Sequence, residues 1–319
     1  MARVVIVAFD GAVTLDITGP AEVFAAASLQ VGRRAYRVEL ASIGGGERVT
    51  SAAVRVVTRD LRRVRPRADD IVLVAGGGPR EIVPAMADAA LVGWLRRAAP
   101  SVRRMASVCS GAFVLAAAGI LDGKRATTHW LGCDILARAF PAVSVDGNAI
   151  FVRDGSVWTS AGVTTGIDMA LAIVEEDLGR AVADAVAARL VLYVRRPGFQ
   201  SQFSEALVAQ RAGSDPLGPA IAWARANLAR ADVEGLARRA GMSVRTFHRR
   251  CRDLLATTPA RLIDKLRVEH ARTLLQSSAL PAKSLAGQCG FGNAVRMKRA
   301  FERELGIGPR EYRTLHGAG

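Results

Sequence analysis

LARRAGMSVRTFHRRCRDLL (Leu236–Leu255) and SLAGQCGFGNAVRMKRAFERELG (Ser284–Gly306) decide how the last third of this chain folds. Each opens with a short apolar helix carrying alanine and reaches a glycine, Gly241 or Gly290. Each then passes a cap-type residue, Ser243 or Asn293, and continues into a basic helix. Glycine takes a positive φ without strain, and Ser or Asn satisfies free N–H groups at the start of the next helix. Two helices joined by a three- or four-residue turn with glycine form the helix-turn-helix unit that reads DNA. On the first basic helix Phe247, Cys251 and Leu254 recur at helical spacing and are expected inside. Arg245, Thr246, His248, Arg249 and Arg252 fall mostly on the other faces. On the second, Met297 and Phe301 point in, while Arg296, Lys298, Arg299 and Arg303 remain for solvent or DNA. An amphipathic helix from about Pro259 to Gln276 joins the two units, and a helix over Pro219–Arg230 precedes them.

The segments LARRAGMSVRTFHRR, TTPARLIDKLRVEHARTLL, CGFGNAVRMKRAF and GIGPREYR together resemble the AraC/XylS-type transcriptional regulator domain. The resemblance implies two recognition helices entering successive major-groove segments of double-stranded DNA. By position, the base-facing residues are Arg245, Thr246, His248 and Arg249, then Ala294, Val295, Arg296, Lys298 and Arg299. It also implies a homodimer, more often an activator than a repressor, with RNA polymerase as a further candidate partner. One departure is Ala256, which stands where the family usually has glycine.

Composition fits a DNA-binding tail joined to a different first domain. The 319 residues suffice for two domains, and half of them are hydrophobic, which excludes wholesale disorder. The net charge of +15 is uneven: from Pro216 onward 19 Lys and Arg face eight Asp and Glu, while the preceding residues are nearly balanced. The four cysteines, Cys109, Cys133, Cys251 and Cys289, show no CxxC or zinc-type spacing, so no metal and no cofactor is expected. Reduced cysteines, the absence of a signal-peptide pattern and the lack of an apolar run of membrane length point to a cytoplasmic protein away from membranes.

Ahead of the tail, strand and helix signals alternate. Val4–Phe9, Tyr36–Ile43, Ile71–Ala75 and Met105–Val108 read as buried strands, Val49–Val57 as short strands, and Ile150–Val152 with Val157–Ser160 as a strand pair. Helices are expected from about Pro20 to Val31, with Pro20 in the first turn, and near Ala87–Ala99, Gly111–Ala118, Leu131–Phe140 and Thr165–Leu178. This pattern gives an α/β fold, a doubly wound parallel sheet, followed by an all-α domain with two helix-turn-helix units. The expected borders are 1–195, a polar Pro/Gly-broken linker 196–218 with some order near Phe199–Phe203, and 219–319.

Ligands bind such sheets beyond the carboxyl ends of the strands. Three of these ends carry chemistry: Asp16 in the loop after the first strand, Gly76-Gly77-Gly78, and Cys109 at a sharp strand-to-helix junction. Free N–H groups at a helix start favour a thiolate at Cys109, a carboxyl can share a proton with it or bind a ligand amine, and the glycine N–H groups can receive an oxyanion.

FDGAVTLDITGPAEVF, LVAGGG, SVCSGAFVLAAAGILDGKRATTHW and SAGVTTGIDMAL resemble the PfpI protease and isonitrile hydratase superfamily, also described as glutamine amidotransferase-like. The resemblance matches Cys109 to the superfamily nucleophile and Asp16 to its acidic partner. The protease-like branch has His directly after the nucleophile, where Ser110 stands here. A thiol without an adjacent base is poorly equipped for acyl chemistry, so a binding pocket without turnover is expected. Its candidate residues are Asp16, Gly76, Gly77, Gly78, Cys109, Ser110 and His129. The resemblance implies a flavodoxin-like sensor domain that responds to a small nitrogenous effector. Trp130 and Trp158 are candidates for cation–π contact with a quaternary ammonium, packing being their plainer role. A cysteine-dependent hydratase or amidase with a DNA-binding tail, and a redox sensor acting through Cys109, stay open beside the regulator.

Overall fold

The computed structural model describes residues 1–192, 196, 198, 202, 216–255, 257–278, 280–305 and 307–316. Ala256, the stretch 199–201 and most of the expected linker lie outside them. Contacts divide the chain into two units, Met1–Gln202 and Phe203–Gly319.

The first unit is built on β1 (Ala2–Val7), β2 (Tyr36–Ser42), β3 (Gly46–Val49), β4 (Arg55–Asp60), β5 (Ile71–Val74), β6 (Arg104–Val108), β9 (Phe151–Asp154) and β10 (Val157–Ser160), with a small pair β7 (Arg125–Ala126) and β8 (Ser144–Val145). The eight-stranded sheet runs β3-β4-β2-β1-β5-β6-β10-β9. From β4 to β10 neighbours are parallel, and β3 and β9 close the two edges antiparallel. Alternation along β1 shows why the sheet is covered on both sides. Val4 and Ile6 enter one core with α1 (Thr14–Gln30), α6 (Thr165–Leu178) and α7 (Arg180–Arg189). Val5 and Val7 enter a second core with α2 (Pro79–Ala87), α3 (Ala89–Ala98), α4 (Gly111–Ala117) and α5 (Cys133–Ala139). The expected doubly wound fold is present.

Three local expectations are corrected. Sequence places Pro20 in a first helical turn and Asp16 in a loop, yet α1 begins at Thr14, with Pro20 inside it and Asp16 in its first turn. Both Asp16 oxygens accept backbone N–H groups from distant segments, and this tertiary anchoring draws the helix start forward. Second, Pro79 and Pro84 hide α2 from a periodicity argument; Asp88 then caps α3, accepting the Ala90 and Leu91 N–H groups, so the helix expected from about Ala87 begins at Ala89. Third, α7 follows Gly179, where the sequence pattern ends at Leu178.

The second unit is all helical among its described residues: α8 (Leu217–Ala226), α9 (Val233–Arg239), α10 (Val244–Leu255), α11 (Pro259–Ser277), α12 (Ala282–Gln288), α13 (Ala294–Leu305) and α14 (Pro309–His316). Helix α11 serves two cores. Leu262, Ile263 and Leu266 pack with α8, α9 and α10, whereas Val268, Ala271 and Leu275 pack with α12, α13 and α14. Phe247, Cys251, Met297 and Phe301 are buried as expected. Leu254 is exposed, and Leu255 takes its place inside, in the core it shares with Leu262, Ile263 and Leu266. Buried Glu304 receives Arg261 and Arg303, and Arg303 also reaches Asp264 at 2.6 Å. Arg303, expected to remain for solvent or DNA, instead ties α13 to α11.

Candidate functional site

Three strand ends meet at the carboxyl edge of the sheet, next to β1 and β5, where the strand order reverses. Cys109 follows β6 with φ at +56°, a strained turn that a non-glycine residue adopts only when its surroundings enforce it. They do: its N–H donates to the Ser160 carbonyl, and its own carbonyl accepts the Thr128 hydroxyl at 2.8 Å. Gly76 lies two residues beyond β5 and passes between the two expected partners. A Cβ there would lie 2.7 Å from Cys109 Cβ and 2.8 Å from Asp16 Oδ2, so only glycine lets Asp16 and Cys109 flank the same point.

The structure brings Asp16, Gly76, Gly77, Cys109 and Ser110 together. Asp16 accepts from Gly76 N–H at 3.1 Å and from Val163 N–H at 2.8 Å. Ser110 clamps Gly77, accepting its N–H and donating to its carbonyl. Two of the three glycine N–H groups offered to an oxyanion are therefore already engaged, and Gly78 serves as the N-cap of α2. His129 is not hydrogen-bonded to Cys109 among the described residues; its Nδ1 accepts from Leu131 N–H, and burial lowers its pKa. Trp158 is buried under Phe151, with Arg153 over its ring, and is closed to a ligand. Sequence reasoning passed over Val163 and Thr128 as individual residues, although both stand in quoted motifs; Val163 becomes a partner through its backbone N–H and Thr128 through its hydroxyl, both placed there only by the fold.

Burial sets the electrostatics. The Cys109 thiol is pushed up to about 12, by desolvation first and by the Asp16 carboxylate second, against hydrogen bonds from Ser110. The expected thiolate is thus corrected: the helix start stabilises a charge less than burial opposes it. Iodoacetamide should modify native Cys109 at neutral pH at least about tenfold more slowly than an unfolded cysteine, as read by intact mass. Equal rates would refute the protected thiol.

Asp16 is raised from 3.8 to about 6, by burial first, against its hydrogen bonds to Val163 and Gly76. Folding therefore favours the protonated carboxyl. The stability this provides is complete below the ordinary pKa, falls as pH rises and is lost above about 6, on the order of 3 kcal/mol in all. Urea unfolding of wild type and Asp16→Asn at pH 4 and pH 7 measures it. The wild type should lose ground to the variant as pH rises, and a constant difference would refute the shift.

The second unit carries the other candidate surface. Gly241 and Gly290 take φ of +64° and +78°, as the turn glycines require. The Ser243 hydroxyl accepts Thr246 N–H, and Asn293 Oδ1 accepts Arg296 N–H, so both recognition helices, α10 and α13, are capped as expected. Arg245, Arg249, Val295, Arg296, Lys298 and Arg299 are exposed, while Thr246, His248 and Ala294 are half-buried. Thr246 is partly absorbed by the cap, accepting from Ser243, and Lys298 pairs with Glu302 at 3.5 Å. Among the described residues no cluster of side chains is arranged for a metal ion, and no helix is long and apolar enough to cross a membrane.

The DJ-1/PfpI family model matches residues 2–176, and a helix-turn-helix domain model matches 236–314. The chain is 31% identical over 299 residues to the HTH-type transcriptional regulator GlxA of Rhizobium meliloti, spanning 92% of this chain and 90% of that one. It is 40% identical over 132 residues to the isonitrile hydratase of Pseudomonas putida, spanning 41% and 55%. A THiJ/PfpI family protein from Pseudomonas syringae shares its fold with a TM-score of 0.55 and 25% identity, covering 64% of this chain and 79% of that one. The chain thus belongs to the DJ-1/PfpI family and, through a likeness that runs almost its whole length, to the HTH-type transcriptional regulators.

Proposed function

We propose that this protein is a sequence-specific DNA-binding transcriptional regulator whose first unit binds a small nitrogenous effector without turning it over. The observation that carries this reading is the pair of capped helices, α10 and α13, each presenting exposed arginines on a rigid turn. Arg245 and Arg249 read one major-groove segment and Arg296 and Arg299 the next, with Lys298 and the half-buried Thr246, His248 and Ala294 beside them. The effector lies against Asp16, Gly76–Gly78, Cys109 and Ser110, with His129 at its margin, and changes how the two copies of a homodimer engage paired DNA sites. For this it must bind one arrangement better than the other.

Cys109 supports a non-catalytic site: its thiol is protonated at neutral pH and no imidazole is bonded to it among the described residues. The partial likeness to an isonitrile hydratase favours a second reading, a cysteine-dependent hydratase that also carries a DNA-binding tail. The full chain incubated with amino acids, betaines, amides and isonitriles separates the two. A compound that raises the melting temperature and is recovered unchanged supports the regulator. Consumption that disappears in Cys109→Ser supports the enzyme.

A further inference from the structure

Gln202 is the last residue of the first unit, directly ahead of the chain that leads to the DNA-binding unit. Its side chain is turned back into that first unit. The Nε2 group donates to Thr127 Oγ1 at 3.0 Å, to the Thr128 carbonyl at 3.0 Å and to the Ala149 carbonyl at 2.9 Å. Thr127 and Thr128 are fully buried. A carboxamide nitrogen carries two hydrogens, so three acceptors at full hydrogen-bond distance exceed what it can satisfy. The other end of the amide is no better served: Oε1 is buried with no hydrogen-bond partner among the described residues. A buried, unpaired acceptor opposes the state that holds it.

A primary ammonium group has what this cradle lacks in its present occupant: three N–H donors for three acceptors, and no acceptor of its own to strand. Negative charge stands nearby. Asp146 is buried and accepts the N–H of Ala149, whose carbonyl is one of the three acceptors, with Arg125 on its other side at 3.6 Å. The cradle also touches the site described above, because the Thr128 hydroxyl donates to the Cys109 carbonyl.

We propose that Thr127, Thr128 and Ala149 form a binding site for the primary ammonium group of a small metabolite, with Gln202 as the chain's own occupant. Entry of the ligand expels Gln202 and frees the chain just ahead of the DNA-binding unit. Among the described residues this segment is also tied by the Gln202 N–H to the Asn148 carbonyl, by the Gly198 carbonyl to the Ile150 and Phe151 N–H groups, and by Arg196, whose N–H and guanidinium reach Asp168 and whose guanidinium also reaches Thr164. The consequence for DNA rests on the regulator reading; the ammonium site does not.

The test uses the full chain labelled with side-chain ¹⁵N-glutamine, the Gln202 signals being assigned by their loss in Gln202→Ala. Ethylammonium chloride should move the Gln202 amide pair from a buried to a solvent-like position, and tetramethylammonium chloride at equal ionic strength should leave it in place. Gln202→Ala, freed of the competing occupant, should bind ethylammonium at least about tenfold more tightly by calorimetry, and adding Thr127→Val should reverse that gain. Unmoved Gln202 signals, equal action by tetramethylammonium, or no gain in Gln202→Ala would overturn the site. DNA affinity measured on the same samples should change in the same direction for Gln202→Ala as for ethylammonium on the wild type. Opposite or absent changes would overturn the coupling. A protein that binds no DNA at all would sink the regulator reading and leave the amide titration standing.

Discussion

Replacing Arg249 and Arg299 together with alanine is expected to remove sequence-specific DNA binding while leaving the fold intact. Both side chains are exposed on recognition helices, and neither has a hydrogen bond or ion pair among the described residues. Their loss leaves no buried partner unsatisfied, so stability should change by only about 0.5 kcal/mol. An arginine that reads a base edge contributes about 1–3 kcal/mol. The two lie in different helix-turn-helix units, so their effects should add to about 2–6 kcal/mol, roughly a thirtyfold to twenty-thousandfold loss. Fluorescence anisotropy on a duplex selected from a randomised pool measures it. A collapse of the ratio between selected and random DNA identifies base reading. A uniform loss with a shallower salt dependence identifies phosphate contacts and moves the base-reading role to other residues. Arg303→Ala is the contrasting variant: it strips Glu304 and Asp264 of a partner, so it should lower stability before it lowers specificity.

The largest structural loss is expected from Gly290→Ala. With φ at +78°, any side chain costs about 1–2 kcal/mol there. Space adds to the cost, because an added Cβ would stand 2.3 Å from the Leu228 carbonyl oxygen, 2.6 Å from its carbon and 2.9 Å from Ala229 Cα. These are backbone atoms and cannot swing aside. The same carbonyl accepts Arg267 Nε at 3.2 Å and Nη2 at 3.0 Å, and Arg267 is buried on α11 between the two cores. Displacing Leu228 therefore disturbs the joint that holds the two helix-turn-helix units in register. The expected loss is about 3 kcal/mol or more, a fall in the melting temperature of this unit on the order of 10–20 °C. Gly241→Ala is the matched control: it occupies the equivalent turn at φ +64° with nothing within 4 Å of the added carbon, and should cost only about 1 kcal/mol. Equal effects at the two glycines would refute the packing argument.

The fold was largely legible in the sequence because its signals are local. Val4–Val7 is an unbroken β-branched run and reads as a strand buried on both faces. Gly241 with Ser243, and Gly290 with Asn293, carry turn and cap chemistry in their own side chains. Helix α2 escaped because its two prolines mask a helical pattern that packing enforces, and Leu254 was preferred to Leu255 because two adjacent leucines on a helix cannot be ranked without the partner surface.

The candidate site was legible only as a list. Sequence alone named Asp16, Gly76–Gly78, Cys109 and Ser110, since strand ends in a doubly wound sheet converge whatever the loops contain. It determined that both turn glycines must adopt positive φ, and that two basic helices follow capped starts. Tertiary structure alone decided the rest. It buried Cys109 beside Asp16 and so raised the thiol that a helix start alone would acidify. It spent the Gly76 and Gly77 N–H groups inside the protein, and it pressed Leu228 against Gly290 while leaving Gly241 free. It also turned Gln202 back under Thr127 and Thr128, residues some seventy-five positions away. Dihedral preference and capping belong to a residue and its neighbours, whereas desolvation, close approach and the count of donors against acceptors belong to whatever the fold brings next to it.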